Sequence, residues 1–220
     1  MSEKKLHTYI TNDPGFMENG CTLYLRDGGP CWFVDPGMPP QAKEMIEHVR
    51  EHSLVPEKVV FTHGHADHIA GVDELVAAFD GLAVYIAKQE FAALTDPMEN
   101  LSSRLGPGFV TKITDPKDLV PGEDLELDGS SWRIIDTCGH SPGGRSFHCR
   151  EHSIVFTGDA LFASSVGRVD FHHSNGAQLM SNIKENLLTL PDDTRVIPGH
   201  GPETTIGHER KTNPFVMQGL

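Results

Sequence analysis

The densest chemistry in the sequence lies in one run, Thr62-His63-Gly64-His65-Ala66-Asp67-His68. Three imidazoles and a carboxylate fall within six residues, and the small Gly64 and Ala66 between them let the backbone curl around a cation without steric conflict. His63 and His65, two apart on extended chain, project the same way. Three further segments share one pattern, an apolar strand, then glycine, then a metal-competent side chain: Gly139-His140, Gly158-Asp159 and Gly199-His200. A glycine there lets the chain turn sharply and aims the next side chain back over the sheet. A chance cluster of surface histidines would not recur at strand ends, where α/β proteins place their ligands. Three ligands would make one open site; the seven candidates His63, His65, Asp67, His68, His140, Asp159 and His200 predict two divalent ions.

The elements that must position these residues read as a layered α/β chain. Residues 22–26 and 31–34 form a predicted hairpin about Asp27-Gly28-Gly29-Pro30, stopped by Asp35-Pro36-Gly37. Pro40 opens a helix in which Ala42, Met45, Ile46 and Val49 recur at helical spacing, and residues 59–61 form a buried strand leading into the histidine run. A helix over 71–79 and a strand over 82–87 follow. Residues 95–122, broken by four prolines and three glycines, predict loop with a little helix. Strands are expected at 131–137, 146–149, 153–157 and 195–197, with Ile183, Leu187, Leu188 and Leu190 on an amphipathic helix. The second half repeats the architecture of the first, and no low-complexity linker divides them. The expectation is one domain over residues 1–220, an αββα sandwich of two mixed sheets between outer helices.

Composition narrows the function. Eighteen Lys plus Arg against 31 Asp plus Glu give a net charge of −13, which repels a phosphate backbone and argues against nucleic acid. No apolar h-region follows Lys4-Lys5, and no apolar run approaches bilayer length, so neither leader nor membrane span is expected and the location is read as cytoplasmic. Cys21, Cys31, Cys138 and Cys149 form no Cys-x-x-Cys pair, which removes a redox motif and a cysteine-based zinc clip. Gly139-His140-Ser141-Pro142-Gly143 matches the G-x-S-x-G nucleophile elbow in letters. The elbow needs the backbone N–H after its serine, and Pro142 has none.

The run from His63 to His68, with His140, Asp159 and His200, resembles the metallo-β-lactamase superfamily, over a stretch from Asp35-Pro36-Gly37 to Asn213-Pro214-Phe215. Gly167-Arg168-Val169-Asp170 and the tail from Gly199-His200-Gly201 to His208-Glu209-Arg210 resemble the small glyoxalase II-like hydrolases. The resemblance implies that His63, His65 and His140 hold one metal, that Asp67, His68 and His200 hold the other, and that Asp159 bridges them. It also implies that Asp35 supports the ligand loops by hydrogen bonds without touching metal. Two departures stand out. Cys138 occupies a position where proline is usual, which opens the thiol to oxidation or extra coordination. The chain ends about twenty residues past His200, so the added helical domain of full glyoxalase II is expected to be missing.

The implied activity is hydrolysis by a hydroxide that two ions generate near neutral pH, zinc being the expected metal and iron or manganese the others this donor set takes. Asp67 and Asp159 are the catalytic carboxylates, and a thioester of a small hydroxyacid, such as S-lactoylglutathione, is the expected small-molecule substrate. Lactone and β-lactam hydrolysis belong to the same class. A mononuclear iron persulfide dioxygenase, with His63, His140 and Asp159 as a facial triad, is the alternative. Arg168 is either a cation for a substrate carboxylate or half of an ion pair with Asp170, and His172-His173 lies in a loop that could line the pocket.

Overall fold

In the computed structural model, which describes residues 5–218, two six-stranded sheets pack face to face between layers of helix. Residues 1–4, part of the stretch read above for a leader, lie outside the described residues. The first sheet runs in chain order: β1 (His7–Asn12), β2 (Asn19–Tyr24), β3 (Pro30–Val34), β4 (Val55–Val60), β5 (Ala83–Ile86) and β6 (Lys117–Asp118). β1 to β3 pair antiparallel, and β3 to β6 pair parallel. The second contains β7 (Asp124–Leu127), β8 (Ser130–Asp136), β9 (Arg145–Cys149) and β10 (Ile154–Gly158) as an antiparallel meander. A small hairpin of β11 (Leu161–Phe162) and β12 (Ser165–Val166) follows. Then β13 (Arg195–Pro198) joins β10 in parallel and β14 (Thr204–Thr205) closes the edge.

Alternation along the strands explains the layering. In β3, Trp32 and Val34 face the second sheet and meet Trp132, Phe156 and Ile197, while Cys31 and Phe33 face the opposite way onto Met45, Val49 and Leu75. In β10, Ile154 and Phe156 point to the middle, and Val155 points outward to Leu179, Ile183 and Leu187. A period of two thus places each strand's apolar side chains in two cores at once. The helices that cover the outer faces are α1 (Gln41–Glu51) and α3 (Val72–Ala78) on the first sheet, and α4 (Gly176–Asn182) and α5 (Ile206–Thr212) on the second. One turn, α2 (Ala66–Ile69), begins inside the histidine run, and α6 (Pro214–Gln218) ends the described chain.

The αββα expectation holds, with differences in detail. The helix expected about 183–190 begins earlier, where Asn175 accepts the Gln178 N–H through its side chain at 3.1 Å, and it widens into a π turn over Ile183–Leu187. The edge strands β1, β6, β7 and β14 and the last two helices had no expectation, because short edge segments carry little alternation. No helix among the described residues is long and apolar enough to cross a membrane.

Candidate metal centre

Four strand ends on one rim of the sandwich bring the seven candidate residues together. β4 runs into Thr62 and His63, β8 into the 137–144 loop with His140, β10 into Asp159, and β13 into Gly199 and His200. The rim closes tightly: Gly158 has φ +49°, and a β-carbon there would strike the Thr62 side chain. A side chain at that position would drive two ligand strands apart.

The first donor group is His63, His65 and His140. His65 Nδ1 lies 3.0 Å from both His63 Nε2 and His140 Nε2. The outer ring nitrogens fix the tautomers. His140 Nδ1 donates to the Arg168 carbonyl at 2.8 Å, so its Nε2 carries a lone pair. Thr62 Oγ1 gives its proton to Asp35 Oδ2 at 2.6 Å and so accepts from His63 Nδ1 at 3.1 Å, which leaves His63 Nε2 a lone pair too. One proton on His65 is the most that three converging nitrogens could share. A cation about 2.0–2.1 Å from each would satisfy all three, and the edge of such a tetrahedron is about 3.3 Å.

The second group is Asp67, His68 and His200. His68 Nδ1 donates to Asp35 Oδ2 at 2.9 Å and His200 Nδ1 to the Phe16 carbonyl at 2.8 Å. Their Nε2 atoms face each other at 3.3 Å, and Asp67 Oδ2 stands 3.4 Å from His200 Nε2. Asp159 sits between the groups. Its Oδ2 lies 3.4 Å from His140 Nε2 and 3.5 Å from His200 Nε2, and its Oδ1 lies 3.4 Å from His68 Nε2. Oδ1 is buried with no hydrogen-bond partner. A buried carboxylate oxygen without a donor is costly unless a cation covers it, so the donor set fits divalent metal. His63, His65 and His140; His63, His68 and Asp159; and Asp67, His68 and His200 each gather within ligating reach.

The two groups differ in electrostatics. Burial pushes His63 well below the usual imidazole value and His65 down to about 3, and neighbouring imidazoles add to the shift. At His68 burial acts the same way, but the carboxylates of Asp35, Asp159 and Asp67 reverse it and raise the pKa well above the usual value; Asp159 and Asp67 do likewise for His200. Burial opposes ionisation of Asp159, and the surrounding imidazoles overcome it, holding the carboxyl well below the ordinary range. Glu18, bridged through its backbone to His200 and fully buried with neither carboxyl oxygen bonded, is pushed by burial up to about 9.

A cleft of about 500 Å³ opens over the centre. Its floor is His65, Asp67, His140, Asp159 and His200; its walls include Leu101, Leu105, Phe162, Val166 and Phe171. Arg104 and Arg168 both lie against the Phe171 ring, with guanidinium carbons 5.2 and 4.6 Å from its centre. Of the two roles open to Arg168, the structure displays the ion pair, bidentate to Asp170 at 2.7 and 2.6 Å. His172 and His173 are exposed and pair with Glu99 at 3.8 and 3.2 Å beside a smaller recess. Asp35 accepts from Thr62 N–H, Thr62 Oγ1 and His68 Nδ1. Cys138 stands apart from the donor groups: its sulfur accepts from Asn182 Nδ2 on α4 at 3.4 Å, belongs to no donor group among the described residues, and burial pushes the thiol up to about 11. Sequence reading missed Glu18, the Thr62 relay and the cleft walls; only Thr62, placed directly before His63, carried a local signal.

The metallo-beta-lactamase superfamily model matches residues 19–200. A Streptococcus pyogenes protein named as a probable metallo-hydrolase is 38% identical over 88% of this chain and 84% of its own length. Hydroxyacylglutathione hydrolase GloC of Haemophilus influenzae is 34% identical over 91% of this chain and 93% of its own. The solved structure of the B3 metallo-beta-lactamase BLEG-1 superposes with a TM-score of 0.86 at 34% identity, covering 96% of this chain and 99% of that one.

Proposed function

The chain belongs to the metallo-β-lactamase superfamily, and from that premise we propose that it is a binuclear zinc hydrolase acting on thioesters of small hydroxyacids, with S-lactoylglutathione as the type of substrate. The observation that carries this reading is Asp159, whose Oδ2 faces His140 and His200 while its unbonded Oδ1 faces His68. A carboxylate so placed can serve two donor groups at once. In this reading His63, His65 and His140 hold one ion, Asp67, His68 and His200 the other, and Asp159 both. When bound, the ions would supply hydroxide near neutral pH and polarise the acyl carbonyl.

The chain's own residues do the rest. Burial works against ionisation of Asp67, but His68 and His200 outweigh it and keep the carboxylate charged. From the cleft floor it can accept a hydrogen bond from the attacking oxygen and fix the line of attack. Leu101, Leu105, Phe162 and Val166 present apolar surface to the acyl chain and exclude water from it. Water's oxygen bonds to the acyl carbon as the carbon–sulfur bond breaks; its two protons pass to solvent, one as hydroxide forms and one as the carboxylic acid product ionises, and the thiolate leaves with little need of a proton donor. Arg168, His172 and His173 stand on the rim where the thiol half would extend, and GloC, of similar length, is named for this class of substrate.

The test is elemental analysis together with hydrolysis of S-lactoylglutathione, followed by thiol release. Two divalent ions per chain and turnover on the thioester are expected. Turnover of a lactone or a β-lactam alone would replace the substrate class. One iron per chain, with oxygen consumed on adding glutathione persulfide, would overturn the hydrolase in favour of a dioxygenase.

A further inference from the structure

Glu90 belongs to neither donor group, yet it is only 4% exposed and lies where two ligand loops meet. It sits on the 3-10 helix Lys88–Leu94, directly after β5. Its Oε1 accepts the Gly143 N–H at 2.6 Å. Its Oε2 lies against Gly64, where an added β-carbon would stand 2.8 Å away; one on Gly143 would stand 2.6 Å from Glu90 Cγ. The side chain therefore fills a slot that exists because both loops carry glycine at the point of contact. Those loops, 63–65 and 140–143, bear all three imidazoles of the His63, His65 and His140 group. Among the described residues Glu90 makes no ion pair, and its desolvation is offset by the Gly143 and Gly64 main-chain amides, with the Ser141 side chain and His140 of the same loop adding to them. The same helix leads into the cleft wall at Leu101, Arg104 and Leu105, and the Ala66 N–H returns to the Asn100 carbonyl at 2.8 Å.

We propose that Glu90 is a positioning residue that clamps the two loops together and so pre-assembles the three-histidine site. The inference rests on the metal reading of that group. Asp35 supports the other group directly at His68 and reaches this one only through Thr62 and His63, so the centre would be held by two buried carboxylates. Loss of a partner that orients ligands weakens metal affinity by about tenfold to a hundredfold.

The test uses Glu90→Gln, whose single carbonyl oxygen can satisfy one loop and must turn its NH2 on the other. In ion-free protein, hydrogen–deuterium exchange should rise in peptides covering 62–66 and 139–144 and stay as in the parent protein around 158–160 and 198–201. Chelator competition should find one ion weakened by about tenfold to a hundredfold, the same ion that His63→Ala loses, with the other unchanged. Gly143→Ala pushes on the clamp from the opposite loop and should give the same pattern. Faster exchange throughout, equal weakening of both ions, or no change in either overturns the proposal. So does failure of both variants to fold, since the clamp would then serve the fold and not the centre. A parent protein that binds metal and hydrolyses no thioester would defeat the functional reading and leave the clamp standing.

Discussion

Asparagine at position 35 changes one atom of the centre and tests its whole donor logic. Asp35 is buried at 2% exposure with φ 44°, a conformation that asparagine also adopts, so the backbone has no reason to move. The carboxylate accepts three hydrogen bonds: Thr62 N–H at 2.8 Å on Oδ1, and Thr62 Oγ1 at 2.6 Å and His68 Nδ1 at 2.9 Å on Oδ2. In Asp35→Asn the amide oxygen keeps the Thr62 N–H, and an NH2 group replaces Oδ2. That group can only donate. His68 Nδ1 must then accept, so the neutral ring carries its proton on Nε2, the atom that faces His200 and Asp159. The ligand atom is blocked by a proton, with every heavy atom still in place. Thr62 can accept from the new amide and from His63 together, so the three-histidine group suffers less.

Hydrogen bonds to a charged group contribute about 1.5–3 kcal/mol each, and neutral ones roughly half. Relief from burying a carboxylate offsets part of the difference, which leaves a net loss of about 2–3 kcal/mol. At this chain length each kcal/mol lowers Tm by about 2–4 °C, so calorimetry of the ion-free variant should show a fall of roughly 4–12 °C. Chelator competition should show the Asp67, His68 and His200 ion weakened by about tenfold to a hundredfold. A folded Asp35→Asn that holds both ions with parental affinity would refute the tautomer argument. A lowered Tm with unchanged metal binding would assign Asp35 to the fold alone.

Asp159→Ala removes the shared ligand and leaves two cations repelling at close range, so metal content should fall toward zero and turnover with it; parental content would refute the bridging role. Asp67→Asn, assayed on a thioester with metal in excess, should lower kcat by a factor of roughly ten to a thousand with little change in KM, and full recovery by added zinc would show that Asp67 only holds metal. Ligands bind metal only when deprotonated: His63 and His65 stay neutral far into acid because burial lowers them, whereas the carboxylates around His68 and His200 more than reverse the effect of burial and raise them. Lowering the pH from 8 to 5 should therefore release the Asp67, His68 and His200 ion first, as metal analysis after gel filtration at stepped pH would record; release in the opposite order would contradict the electrostatics.

The donor set was legible in the sequence because each member is fixed by a local rule. A buried apolar strand ends, glycine turns the chain, and the next side chain points over the rim; β8, β10 and β13 each obey it, while β4 runs through Thr62 straight into the dense run from His63 to His68. The layered fold was legible for a related reason, since strands such as β3 and β10 alternate residues between two cores. Where the chain obeys no period, the reading stopped. Residues 95–122 look like punctuation, yet Asn100 Nδ2 bonds the Ala93 and Phe109 carbonyls at 2.9 and 3.1 Å and folds the segment into a cleft wall. Nothing near Asn100 in the sequence marks it as the organiser, because both its partners are main-chain atoms.

Buried carboxylates show the limit most clearly. Lys88-Gln89-Glu90 reads as an exposed polar run, and Glu18 follows the turn residues Asp13, Pro14 and Gly15 as though it belonged to a surface loop. Lone acids in such settings are exposed by default, since burying an unpaired charge is costly. What reverses the default lies elsewhere in the chain. Glu90 is buried by Gly64 and Gly143, 26 positions before it and 53 after it, each leaving the volume of a β-carbon for the carboxylate to fill. Glu18 is buried by Gly37 and by the backbone bridge to His200, 182 residues away. A glycine in a ligand loop therefore has two readings that local sequence cannot separate: it frees its own backbone, or it makes room for a distant acid. Gly64, inside the densest run of ligands, looked like the first and is also the second, and its contact with Glu90 is what makes substitution there a question about the metal centre as much as about the turn.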